Sequence, residues 1–235
     1  MGESGTVLGA RVQPQSKQRP KELEPAPSLG VVVLRVSWLA ILIGLAIQIL
    51  VMAVTAAFGH LRTFTPVIAN LVQTISWSVM VCIGIATGAA VSKMRLELTG
   101  LAGLLSAPIA FTLARSLHKG VSAALGLPAG GPGGPSPLVL GVIKAVEYGA
   151  LAVIVAWIVK HGRESALAHA VVGLCLGIVF GGVALAYVYL KTKGMTTPDV
   201  LSRGINEVLF PVGCSLVLFA SEAMGKHWKL ESTAK

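Results

Sequence analysis

The sequence predicts an all-α integral membrane protein, a bundle of about six transmembrane helices, on three observations. Hydrophobic residues make up 54% of the chain and charged residues only 12%, with a mean hydropathy of +0.78. Soluble domains carry roughly 25% charged residues, so this chain lacks the polar surface that would cover a water-soluble fold. Glycine accounts for 27 of the 235 residues, as suits membrane helices whose backbones approach closely. The apolar residues also gather into six runs near the roughly 20 residues needed to cross ~30 Å of hydrocarbon.

Residues 1–28, MGESGTVLGARVQPQSKQRPKELEPAPS, lack apolar periodicity and are rich in Pro, Gln and charge. Such a segment buries too little surface to offset its ordering entropy and reads as a disordered cytoplasmic tail. Its first residues fit the myristoylation pattern only formally, since an anchor adds little to a chain that already spans the bilayer. The transmembrane domain is expected over 29–228. Its first span, 36–58, lies in the 24 residues between Arg35 and His60, well past the roughly 7–15-residue core of a cleaved signal peptide. The second is 66–91, ending before SKMRLE.

The third span, 98–114, is short and interrupted by Pro108, and can continue as a helix through RSLHKGVSAALG at the membrane surface. The connector LPAGGPGGPSP has four prolines and four glycines in eleven residues, a composition no regular element survives. The fourth span is 138–159, the fifth 167–190, and the sixth 198–224, broken by Pro211. Residues 229–235 form a short cytoplasmic C-terminal tail.

The formal charge of +9 does not point to nucleic acid, because basic residues sit singly or in pairs at the ends of apolar runs. With the N-terminus inside, the cytoplasmic flanks carry twelve Lys and Arg and the opposite flanks five. By the positive-inside rule both termini are cytoplasmic, in a plasma or inner membrane. Cys82, Cys175 and Cys214 lie inside apolar runs, odd in number and widely spaced. They read as small packing residues, neither a disulfide framework nor a metal knuckle.

In the fifth span Gly173, Gly177 and Gly181 recur every four residues, with His169 continuing the stripe as an ordinary hydrogen-bonded histidine. Gly84 and Gly88 mark a similar stripe on the second span. Such grooves are helix-packing surfaces, within the chain, in a homo-oligomer, or against a partner in a membrane complex. Each half of the chain also places its Gly-striped helix second and its Pro-containing helix third, the pattern of a weak 3+3 inverted repeat.

The informative residues are charges where none is expected. Spans two, four and six run in the same direction, so equal offsets from their starts mean similar depth. Glu147 is nine residues past Leu138 and Glu207 nine past Pro198, both roughly 13 Å inward at ~1.5 Å per residue. Lys144 and Arg203 lie about one turn above them, with Asn206 beside Glu207. Asn70 and Gln73 reach comparable depth from the second span, and Gln48 lies in mid-membrane on the first. Pro211 lacks an amide hydrogen and can free the carbonyl of Glu207.

A charge at mid-bilayer costs roughly 2.5–3.5 kcal/mol on insertion scales and faces protein or water. Two readings follow. In one, Lys144, Glu147, Arg203, Asn206, Glu207, Asn70 and Gln73 form a substrate- or ion-binding basket of a small transporter or channel for a polar or charged solute or protons. In the other, Lys144–Glu207 and Arg203–Glu147 pairs cross-link helices four and six of a non-catalytic structural or assembly subunit. The chain has no GxSxG, HExxH or cofactor-attachment motif. No catalytic residue, metal ligand or cofactor is expected.

Overall fold

The structure, a computed structural model, describes residues 28–59, 64–91, 95–127, 134–163 and 165–233. The expected N-terminal tail and its myristoylation pattern lie outside the described residues. Six helices account for nearly all of the described chain: α1 (Leu29–Ala57), α2 (Phe64–Val91), α3 (Leu96–Ala124), α4 (Pro137–Lys160), α5 (Ala166–Lys191) and α6 (Thr197–Thr233). Among the described residues there is no strand, and each helix contains a stretch long and apolar enough to cross a bilayer.

Two expectations about helix ends are corrected. Neither proline breaks its helix: Pro108 lies inside α3 and Pro211 inside α6. Proline in a membrane helix is tolerated where neighbours cover the backbone groups it frees. At Pro211 the carbonyl it frees is that of Glu207, and Gly181 of α5 lies against it. As the sequence allowed, the third span continues through RSLHKGVSAA, and α3 runs to 29 residues, about 43 Å of helix. At the other end of the chain, α6 continues through Thr233 where a tail was expected from 229.

Each helix packs on the next in sequence, and α6 closes the ring on α1. Across the centre α2, α4 and α6 also touch one another, whereas α1, α3 and α5 are kept apart. The short connections and the contact registers make sequential neighbours antiparallel. One face of the bundle therefore holds the start of α1 and the later part of α6 (the termini face). The other holds the ends of α1, α3 and α5 and the starts of α2, α4 and α6 (the far face). The outer surface is apolar, with Leu42, Ile49, Leu105, Ile109, Val142, Ile178 and Leu190 exposed.

Glycine sets the tightest helix pairs. A Cβ on Gly84 or Gly88 would strike Ser106 or Ala102 of α3. On α5, Gly173 faces Val212 and Gly177 faces Val208, a steady antiparallel register. Continued one more turn, that register would bring Gly181 opposite Gly204. Instead Gly181 meets Glu207, at the end of a π-helical turn over Gly177–Gly181. All five stripe glycines thus lie against neighbouring helices of this chain.

Candidate functional site

A cavity of about 450 Å³ enters from the far face between α2, α4 and α6, with α1 and α3 completing its wall. From Asp199 at the mouth to Phe210 at the base it follows α6 for about 16 Å, roughly half of a hydrocarbon core. The wall is built by helical spacing. Asn70, Gln73, Thr74 and Trp77 share one face of α2, and Ser202, Arg203, Asn206, Glu207 and Phe210 follow the same i, i+3, i+4 pattern on α6. α1 contributes Gln48 and α3 contributes Phe111 and His118. Gln48 and Thr74 are both buried, with their side-chain oxygens 3.5 Å apart.

At the mouth, Asp199 accepts from Thr196 Oγ1 at 2.7 Å and anchors the start of α6. His118 Nδ1 lies 3.1 Å from the carbonyl of Ala69. A carbonyl only accepts, so His118 donates through Nδ1 and is tied to α2. The base is aromatic: Trp77 meets Phe111 edge-on at 6.2 Å and Tyr148 at 5.4 Å.

Lys144 reaches the cavity from α4 and bridges two acids. Its Nζ lies 2.7 Å from Glu147 Oε2 on the same helix and forms a second ion contact with Glu207 of α6. The three groups are not equally enclosed. The Glu147 side chain is 0% exposed and that of Lys144 8%, whereas Glu207 keeps 22% and lines the cavity. Glu147 Oε1 has no hydrogen-bond partner, and neither has Asn206 Oδ1, which is buried at the cavity wall. The Tyr148 hydroxyl, Ser78 Oγ and Ser215 Oγ are also buried without a partner.

The structure thus brings together Lys144, Glu147 and Glu207, and lines one cavity with Asn70, Gln73, Asn206 and Arg203. It does not bring Arg203 to Glu147. Arg203 is exposed at the cavity rim, and the cross-link is one lysine shared by two acids instead of two separate pairs. The reason is angular. Arg203 lies four residues before Glu207 and can extend along its long stem towards the mouth, while Lys144 points between α4 and α6.

Sequence reasoning passed over Phe111, His118, Asp199, Ser202 and Phe210. For Ser202 the signal was available, since it lies on the Arg203–Asn206 face; for His118 it required knowing that α3 continues to Ala124. His169, as expected, is hydrogen-bonded, its Nδ1 donating to the Ser165 carbonyl at 2.9 Å. The described residues contain no cluster of His, Cys, Asp and Glu able to hold a metal ion, and their cysteines are free. No family model, curated protein or solved structure matches this chain.

Proposed function

We propose that this protein is a small membrane carrier or channel that takes a polar or charged solute into the cavity between α2, α4 and α6. The observation that carries the reading is the cavity itself: about 450 Å³ of space ending, halfway through an apolar bundle, on a Lys–Glu pair and an unpartnered amide oxygen. Ligand sites are pockets of roughly 300–1,000 Å³ with a few convergent polar groups. Intramembrane ionisable residues that face such a space mark solute or ion pathways. The amides of Asn70, Gln73 and Asn206 can donate and accept, Lys144 supplies a cation, Glu207 an anion, and Trp77 with Phe111 an aromatic floor. That set suits a zwitterion or a small organic ion.

The assembly-subunit alternative draws less support, because the glycine faces that would seat a partner meet helices of the same chain. An inverted 3+3 repeat suits the carrier reading: Gly84 and Gly88 press α2 on α3 much as Gly173, Gly177 and Gly181 press α5 on α6. In a plasma or inner membrane, the basic bias of the flanks would put the termini face in the cytoplasm and open the cavity away from it.

The test is a melting-temperature screen of the detergent-purified chain against small zwitterions, amines and carboxylates, followed by uptake into proteoliposomes. At least one class should raise the melting temperature of the native chain and enter the vesicles, and N206A should abolish both effects. A panel without any shift, or a shift that N206A leaves intact, overturns the reading.

A further inference from the structure

We infer that the Glu147–Lys144–Glu207 cluster holds one exchangeable proton, carried on the Glu147 carboxyl. The site is argued independently of the solute. Only the role of this proton as the coupling ion of a carrier rests on the reading above.

Two carboxylates share one ammonium, with Lys144 Nζ in ion contact with both Glu147 and Glu207. One lysine neutralises one acid, and a carboxylate left over in a dry interior is costly enough that the group takes up a proton instead. Among the described residues lining the cavity, the other fixed cation is Arg203, which is exposed at the rim. α2 presents only neutral Asn70, Gln73 and Trp77 to the cavity, with Cys82 beneath, and α1 presents Gln48. On α3, His118 is held by the Ala69 carbonyl. On α4, Tyr148 is the next residue and its hydroxyl is unpartnered. On α6, Arg203 and Asp199 sit towards the mouth and Cys214 lies below in the core, while α5 meets Glu207 with Gly181.

The two acids differ in a way that assigns the proton. Glu207 is 22% exposed in the cavity, where water can solvate its charge. Glu147 is fully enclosed and its Oε1 meets no donor. A neutral carboxyl costs least there. Lys144 connects this buried proton to water. As its ammonium passes one hydrogen to Glu207 it takes one from Glu147, so a single proton moves from the enclosed acid to the cavity-facing one and the lysine ends as it began.

The experiment is infrared spectroscopy of the full-length protein in detergent, in H2O and in D2O, with no solute added. The native chain should show a carbonyl band of a protonated carboxylic acid at neutral pH that shifts in D2O. E147Q and E207Q should each abolish it, because one lysine then suffices for one acid. E147D should move the band and E207D leave it in place. Absence of the band, its failure to shift in D2O, its persistence in both Gln variants, or its movement by E207D instead would overturn the assignment. The solute screen is a separate readout: its failure removes the carrier and leaves the band, whereas loss of the band removes the proton site and leaves solute binding untouched.

Discussion

At the residue scale, Lys144 holds the site together. Its ammonium joins α4 to α6 through Glu207 while hydrogen-bonding Glu147 one turn away on its own helix. Removing one partner of a buried ion pair typically costs about 3–5 kcal/mol, because the other charge stays buried and uncompensated. K144M should therefore lower the melting temperature in detergent clearly, and adding E207Q should restore part of the loss. E147Q alone should melt close to the native chain, because Gln reproduces the shape of a neutral carboxyl at 0% exposure. An E147Q chain that melts as low as K144M would contradict this ordering. The same scale shows what sequence reasoning could see. The depth of both acids follows from counting residues along two parallel spans, and they do meet at one lysine. The choice of Lys144 over Arg203 as their partner depends on which way each stem turns, and counting does not reveal that.

At the element scale, the α5–α6 pair decides where Glu207 points. The register of α5 changes over the π turn at Gly177–Gly181, and a glycine, Gly181, backs Glu207. π-helical turns inside α-helices are rare and occur frequently at functional sites. A side chain at Gly177 would strike the backbone of Val208, whereas at Gly182 nothing lies within 4 Å. G177L should consequently destabilise the protein by about 1–3 kcal/mol, the usual range for overpacking, and G182L should be nearly neutral. Comparing the two melting temperatures in detergent checks this, and equal melting would count against the tight α5–α6 seam. The glycine stripe is plain in the sequence because its period is that of a helix. The π turn is not, because nothing in GIVFG distinguishes it from ordinary α-helix.

At the scale of the whole molecule, six helices closed in a ring make a bundle that is open on the far face and sealed beneath Trp77. Water and charged reagents should therefore reach Ser202 but not Cys82 or Cys214, which are buried below the aromatic floor. In a C175S chain reconstituted in vesicles, a membrane-impermeant thiol reagent should label S202C from one side only and leave Cys82 and Cys214 unreacted. Labelling of S202C from both sides, or reaction of the two native thiols at the same rate, would show that the seal does not exist.

Composition and periodicity by themselves determined that the chain forms six helices long and apolar enough to cross a membrane, which faces carry glycine, and that charges sit within the apolar runs of α4 and α6. Each of these is a property of one helix read along its own axis. Only the tertiary structure decided that Lys144 serves both acids, that Arg203 is left at the rim, that α3 carries His118 to the cavity, and that a cavity exists. Those facts depend on the rotation and register of one helix against another. That register follows where glycine lets backbones touch, and on α5 it changes over a π turn.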